Sequence, residues 1–496
     1  MAMPRLIPAP KEIALSQERV VLDPTWGLVD RSSCPGVRAR YADAFGLSRA
    51  EGNRNLSLLR EESALATPVV SGHSLAEEEY RLEISPQDVT VRAASERGFL
   101  HALSTLGQLR NGPSLPVGKV RDYPRLAIRG IQLMFESFLQ MGAVEATALI
   151  TTAAKLKLNT VLLEFGDRFP FERHAAVRAP TALTREELRR LLDHARSLGM
   201  EPIPLLQSLG HLNYLLKHDE YAHLREEEKF RDQMCPLNEK SFHTFTELAE
   251  EVLSFFPGAR FMHIGADETR RLGACPRCRE QAARSGKGSL YVGHINKVCG
   301  WLSDRGLTPI IWDDILCAHP EVLDALHPSA WVMYWDYWTT SSPSPLLIAR
   351  YDREERSSSV YDQRWQTEWK AELSDVTAQT LAFFGHPVPL ESDLSERFLK
   401  VYRRYLGDRF PKAVRAFPYL EFFQDHGRRV ICGPTCSGNT SDWLSLPDFA
   451  RYGNNIKLFA ERAVEAEAEG LITTAWYNLP PEMINFGLIA TAHFAW

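Results

Sequence analysis

The sequence lacks any apolar run long enough to cross a bilayer as a helix. It also lacks an excess of charge of either sign. Lys and Arg number 57 against 63 Asp and Glu, a formal net charge of −6. That balance argues against nucleic acid or an anionic membrane as a partner, since both reward clustered cations. Cysteine is scarce: the eight present are scattered without the spacing of a secreted disulfide framework, which favours a reducing compartment. The opening residues, Met1 to Pro10, show no apolar core of a signal peptide, so the expectation is a cytoplasmic protein. Internal repeats and low-complexity tracts are absent too.

What is present is length and pattern. A chain of 496 residues exceeds one ordinary core, so two domains or a large barrel with additions are expected. A division falls near residue 122, where Asp122-Tyr123-Pro124 reads as a linker. Over 1–122, strand-like Tyr80–Ile84 and Val89–Ala93 precede a helix from Glu96 to Leu109, ended by Asn111-Gly112-Pro113. Over 123–496, strands are expected at Ala127–Phe135, Thr160–Phe165, Pro202–Gln207, Arg260–Gly265, Pro309–Trp312, Trp331–Trp335, Arg429–Gly433 and Leu471–Trp476. Helices fall between most of them, including Val144–Leu156, Arg185–Leu198, Phe242–Phe255 and Phe449–Ala468. Eight such repeats predict a (β/α)₈ barrel, preceded by the small α/β domain. The stretch of about 340–428 is too long for a crossover. It is expected to be a helical insertion and is a candidate lid, leaving-group subsite or homodimer surface.

Polar residues gather where such a barrel does its chemistry, at the C-terminal ends of the strands. They are Asp167, His211, Asp267 with Glu268, Asp313 with Asp314, Asp336 and Asn478. The most informative segment is His263-Ile264-Gly265-Ala266-Asp267-Glu268, an apolar run that stops at two adjacent carboxylates. Glycosidic cleavage usually needs a pair of carboxyl groups. Neighbours in sequence suit one acid and one group that orients the substrate. The competing reading is a cap on the next helix. His263 itself is expected to pack in the core.

Together these motifs resemble glycoside hydrolase family 20, the β-N-acetylhexosaminidases. Leu6 to Glu12, Glu79-Tyr80-Arg81-Leu82 and Arg97 to Leu106 resemble the family's N-terminal domain. Leu163 to Pro170, Gln207 to His211, Leu216-Lys217-His218, Ala222 to Glu226 and Ile311 to Asp314 look most like its hexosaminidase D branch. The resemblance implies substrate-assisted hydrolysis, in which the sugar's own acetamido oxygen attacks C1. It implies Glu268 as acid and then base, Asp267 as acceptor for the acetamido N–H, and His211 with Asp167 as a relay. Glu268 is expected to hold its proton through burial and the charge of Asp267. Arg129 resembles the family's sugar-binding arginine, with a barrel-stabilising salt bridge as the other reading. Trp312, Trp335 and Trp476 are expected to wall a pocket. Asp313, Asp336, Tyr337, Tyr477 and Asn478 are further substrate contacts, and Asp314 is a helix N-cap.

Three positions depart from the family pattern. Met134 stands where an Asp is common, no Tyr-x-Asp is evident near Gly433 to Cys436, and Trp476-Tyr477-Asn478 replaces Trp-x-Glu. Tyr337 or Tyr477 is left to meet the acetamido oxygen, and GalNAc competes with GlcNAc as the sugar. The partner implied is an oligosaccharide or glycoconjugate, with no cofactor and no catalytic metal. Rival readings are a glycosidase for a modified, for example sulfated, hexosamine, a sugar-binding barrel without turnover, and a metal-dependent hydrolase. Cys275-Pro276-Arg277-Cys278 is half of a zinc site. Cys299, Cys235 or a nearby His can complete it; two free thiols or a disulfide are the alternatives.

Overall fold

The structure is a computed structural model that describes residues 5–63, 65, 69–70, 73–136, 141–337, 339–342, 348–349, 387–388, 396–410, 415–437, 448–476 and 481–496. The first sheet has strands β1 (Glu12–Val21), β2 (Gly27–Arg31), β3 (Asn55–Arg60), β4 (Tyr80–Ile84), β5 (Asp88–Ala93) and β6 (Ser114–Asp122), in the spatial order β1-β6-β4-β5-β3-β2. Helix α1 (Val37–Phe45) and helix α2 (Glu96–Leu109) cover it. Phe99, Ala102, Leu106 and Leu109 lie on one stripe of α2 and are buried with Leu82, Val89 and Val91.

Beyond Asp122 the eight strands that close the barrel are β7 (Ile128–Met134), β8 (Thr160–Glu164), β9 (Glu201–Leu205), β10 (Phe261–His263), β11 (Thr308–Trp312), β12 (Trp331–Trp335), β13 (Val430–Gly433) and β14 (Gly470–Ala475). Each runs parallel to its neighbours, and Gly470 pairs with both Ile431 and Ile128 to close the ring. This is the (β/α)₈ barrel expected from the sequence, each strand within two residues of its expected ends. Helices α3 (Ala143–Lys155), α4 (Arg185–Ser197), α5 (Glu239–Leu253), α6 (Pro276–Ser285), α7 (Lys287–Ser303), α8 (Tyr419–Asp425) and α9 (Phe449–Glu465) follow in the chain. Helix α4 begins with a capping box: Thr184 Oγ1 accepts from Glu187 N–H, and Glu187 accepts from Thr184 N–H. The expected insertion at 340–428 falls largely outside the described residues. Its described parts include helices Glu396–Tyr402 and α8.

Alternation along the strands decides which side chains fill the barrel. Ile128, Leu162, Ile203, Leu205, Phe261, Ile310, Trp312, Met333 and Ile431 form the inner cluster. On β7, Ile131 and Leu133 join the outer core. Gln132 and Met134 therefore share the inner face with Ile128, while Arg129 faces out.

That parity corrects the expectation that Arg129 forks onto the sugar. Arg129 is fully buried near the N-terminal end of its strand, against the first domain. Its guanidinium pairs with Glu78 and donates to the carbonyls of Leu126 (2.7 Å) and Lys157 (3.0 Å). It also lies 5.0 Å from the ring centre of Trp496. Burial would raise the Glu78 carboxyl, but Arg129, His101 and Arg97 together outweigh it and hold the group well below its usual range. Lys157 donates to Asp122 (2.6 Å) and to Tyr80 (2.8 Å), and Trp496 Nε1 donates to Asp122 (2.8 Å). Asp122 thus ties the first sheet, the barrel and the C-terminal Trp496 together.

Candidate active site

Strand β10 ends at His263, and the backbone then turns sharply. Gly265 (φ 61°), Ala266 (71°) and Glu268 (48°) all occupy the left-handed region. Non-glycine residues adopt it rarely, and such conformations gather where the surroundings over-determine them. Gly265 has a second constraint, because a Cβ there would collide with the Gln207 side chain. Three hydrogen bonds fix the loop. Gly265 N–H donates to His263 Nδ1 (3.0 Å), Ala266 N–H to Gln207 Oε1 (3.3 Å) and Glu268 N–H to Asp314 Oδ2 (2.8 Å).

One expectation changes here, and one competing reading falls. Asp314 serves the catalytic loop rather than capping its helix, whose N-cap position is Asp313. Asp267 and Glu268 do not cap a helix either. The next helix, α6, starts at Pro276 and is capped by Cys275.

The loop after β9 brings His211 over the two acids, also with a left-handed backbone (φ 52°). Its Nε2 lies 3.2 Å from Asp267 Oδ2 and 3.4 Å from Glu268 Oε2. Burial opposes a charged imidazole, but the two carboxylates outweigh it and hold the pKa well above 6.5. The two carboxylates therefore favour the charged form of His211. Gly210 allows the approach, since a Cβ there would meet the carbonyl oxygen of Asp267. Arg270 contacts Glu268 at 2.8 Å from outside. Asp167 is ion-paired with Lys217 at 3.1 Å. His211 thus contacts both members of the acidic pair directly.

The two catalytic candidates differ in setting. The Glu268 side chain is 28% exposed. Asp267 is buried, and its Oδ1 has no hydrogen-bond partner among the described residues. A buried carboxylate oxygen without a donor is rare and costly.

A second polar group lies inside the barrel beside this pair. Glu164, at the end of β8, accepts from Gln207 Nε2 (3.0 Å) and Gln132 Nε2 (3.3 Å). The orientation of both amides is set by the backbone: Gln207 Oε1 accepts from Ala266 N–H, and Gln132 Oε1 from Ala475 N–H (3.0 Å). Burial and the charge of Asp267 raise the Glu164 pKa to about 7 against the pull of the Gln207 amide. Burial and the charges of Glu164 and Asp167 likewise raise Glu136 to about 8. Sequence reading passed over Glu164, Glu136, Gln132 and Gln207. The available signal was parity: Glu164 stands two residues after Leu162, on the inner face.

An aromatic wall faces the acids. Trp312 and Trp476 have ring centres 5.9 Å apart, and His263 lies 4.5 Å from Trp312. Trp476 Nε1 donates to Tyr337 Oη (2.7 Å), and Tyr337 lies 5.0 Å from Trp335. All three expected tryptophans thus converge with Tyr337 in one cluster. His263 is fully buried, and burial lowers its pKa to about 3, which leaves Nδ1 free to accept the loop's N–H.

Asp313 and Asp336, expected as substrate contacts, are engaged by the protein's own backbone. Both are buried: Asp313 accepts from Trp335 N–H (3.0 Å), and Asp336 from Thr339 N–H (2.9 Å) and Oγ1 (2.7 Å). They hold the wall's loops. Tyr477 and Asn478 lie outside the described residues.

A (β/α)₈ barrel that carries paired carboxylates and clustered tryptophans at its C-terminal mouth has the architecture of a glycoside hydrolase. Comparison with known proteins narrows the class. Residues 147–350 match the family described as glycosyl hydrolase family 20, catalytic domain, and residues 3–123 match glycosyl hydrolase family 20, domain 2. The chain belongs to glycosyl hydrolase family 20. Hexosaminidase D of Bos taurus is 36% identical over 171 residues, which are 34% of this chain and 49% of that protein. Hexosaminidase D of Homo sapiens is 34% identical over 171 residues, 34% of this chain and 35% of that protein. The chain thus spans half or less of these relatives' length. A crystal structure of β-N-acetylhexosaminidase from Bacteroides fragilis shares the fold, with a TM-score of 0.68 at 15% identity over 99% of this chain and 90% of that one.

Proposed function

We propose that this chain is a retaining exo-β-N-acetylhexosaminidase that removes a terminal β-linked GalNAc or GlcNAc from an oligosaccharide or glycoconjugate. The observation that carries the reading is Asp267 Oδ1, a buried anionic acceptor with no donor among the described residues. The acetamido N–H of a 2-acetamido sugar supplies such a donor. Accepting it orients the amide so that its oxygen attacks C1, and stabilises the positive charge that develops on it.

The glycosidic C1–O bond breaks as the C1–O bond to the acetamido oxygen forms, giving an oxazolinium ion. Glu268 gives the leaving oxygen its proton. Water then attacks C1, loses its proton to Glu268, and reopens the ring with net retention. His211 touches both acids, so its charge balances the Glu268 carboxylate left after the first step, and Glu268 regains its proton from the attacking water. Glu164, held by the Gln132 and Gln207 amides, supports the acidic pair from inside the barrel, where its charge and that of Asp267 act on each other. The aromatic wall packs against the sugar face and the acetamido methyl.

GalNAc is the proposed preference, on the likeness to the hexosaminidase D branch. A reducing, cytoplasmic setting is proposed from the sparse, scattered cysteines. No described helix is long and apolar enough to cross a membrane.

A panel of nitrophenyl glycosides tests the reading. The wild type should cleave β-GalNAc, β-GlcNAc or both, and no sugar with a free 2-hydroxyl. Asp267→Asn and Glu268→Gln should each lose about 10²–10⁴-fold in kcat, Glu268→Gln least with good leaving groups. Equal activity on β-glucosides would refute the mechanism.

A further inference from the structure

The chemistry above leaves Cys275-Pro276-Arg277-Cys278 unused. In the fold this segment is not alone. The Sγ atoms of Cys275 and Cys278 and a carboxylate oxygen of Glu226 gather with Cys235 Sγ, all four within 4.8 Å of one another. Cys235 Sγ lies 3.8 Å from Cys275 Sγ and 3.5 Å from Cys278 Sγ. We propose that Glu226, Cys235, Cys275 and Cys278 form a structural zinc site.

Tetrahedral zinc bound to thiolates at about 2.3 Å places the sulfurs about 3.8 Å apart, close to the spacings seen. The donor set fits the soft, d¹⁰ ion: three sulfurs and one carboxylate, from a C-x-x-C pair and two residues of an earlier loop. The surroundings fit as well. Cys278 N–H donates to Cys275 Sγ (3.3 Å), and Cys275 N–H donates to Glu226 Oε1 (3.0 Å). The Arg277 guanidinium, 3.9 Å from Cys235 Sγ, offsets the negative charge of the ligands. These are the supports that orient ligands around a metal.

The second, independent sign is Glu226. It is 2% exposed, and its Oε2 has no hydrogen-bond partner among the described residues. A carboxylate buried against three thiols, which are weak donors, is costly; against a dication it is favourable. The site closes with Cys235 and a carboxylate, not with Cys299 or a histidine.

Its place explains its use. Cys275 and Cys278 open α6, soon after Glu268 in the chain. Glu226 and Cys235 flank a loop that pairs with the His211 segment: Leu212 N–H donates to Asp232 O (3.0 Å), and Met234 N–H to Leu209 O (3.0 Å). Zinc would therefore pin the loop bearing His211 to the loop bearing Asp267 and Glu268. The proposal does not depend on which sugar, if any, is cleaved.

Metal analysis of the folded chain decides it. Protein purified in reducing buffer without added metal should carry about one zinc per chain by mass spectrometry of the elements. After removal of that metal under reducing conditions, cobalt(II) alone should give sulfur-to-metal charge-transfer absorption and the visible bands of a tetrahedral site. Cys235→Ser and Cys278→Ser should each abolish stoichiometric zinc, and Cys34→Ser should not. A folded native chain that holds no zinc, and when reduced takes up neither zinc nor cobalt(II), overturns the proposal, whether its thiols are free or joined. So does zinc retained at one equivalent by both serine variants. The cobalt spectrum is read on the unmutated protein, so it decides even where a variant fails to fold.

Discussion

Replacing Glu164 by glutamine should stabilise the protein at alkaline pH while impairing it as a catalyst. Glu164 is 3% exposed, and its pKa is raised from 4.5 to about 7. Between those values the folded state binds more protons than the unfolded chain, so stability falls as pH rises through the interval. Once the group is ionised in both states, that gap costs the fold about 3 kcal/mol at about 1.4 kcal/mol per unit. At pH 5 about 1 kcal/mol of it is already felt. Glutamine carries no charge and escapes this cost. It loses something else, because the Gln207 and Gln132 amides both donate to Glu164 and are held in that sense by Ala266 and Ala475. One of them would then face an N–H₂ group, a loss of about 1 kcal/mol. The effect of Glu164→Gln on unfolding free energy should therefore become more favourable by about 2–3 kcal/mol from pH 5 to pH 8. Urea unfolding followed by tryptophan fluorescence at the two pH values measures it. At pH 8, where Glu164 is ionised, kcat/KM should fall by about 10–100-fold, the worth of a hydrogen bond to a charged group. The same change in unfolding free energy at both pH values would refute the reasoning, because the raised pKa would then not exist.

Two other perturbations probe the same picture. The pKa of His211 is raised in the fold, so its contribution is complete below 6.5 and is lost as pH rises through the raised value. His211→Asn should thus destabilise more at pH 6 than at pH 9 by denaturant titration, lower kcat by about 10²-fold, and displace the alkaline limb of the pH–rate profile. A pH-independent loss of stability with an unmoved limb would contradict the pairing. Arg129→Met should cost about 3–5 kcal/mol of stability by stranding Glu78, with KM close to wild type. A large rise in KM at unchanged stability would instead return Arg129 to the sugar.

The barrel was legible because its signals are local and repeated. Runs such as Thr160–Glu164 and Trp331–Trp335 are short, apolar and rich in β-formers, and Arg185–Ser197 carries both a capping box and a helical stripe. The Asp267–Glu268 loop was legible for a related reason: a buried strand that stops at two charges has to deliver them to its open end. Side-chain direction was not legible in the same way. Arg129 sits on the first barrel strand as the family resemblance requires, yet one residue of parity turns it to the outer face, where Glu78 and Trp496 meet it.

The residues that sequence reading misassigned share a physical cause. Asp313, Asp314 and Asp336 all follow the strand ends and look alike as a pattern, but each is spent on a backbone N–H supplied by a distant or reversed segment: Trp335, Glu268 and Thr339. A carboxylate near a barrel mouth can satisfy a loop or a substrate, and only the donors that reach it decide which. By that criterion Asp313 and Asp336, each with a protein donor on both oxygens, fit a loop role, and Asp267, one oxygen paired with His211 and the other buried without a donor among the described residues, is the candidate for the sugar. Among the described residues Glu226 Oε2, set among three thiols, is another buried carboxylate oxygen without a donor. We assign the first of these oxygens to an N–H and the second to a cation, because Asp267 sits beside His211 while Glu226 sits among three thiols.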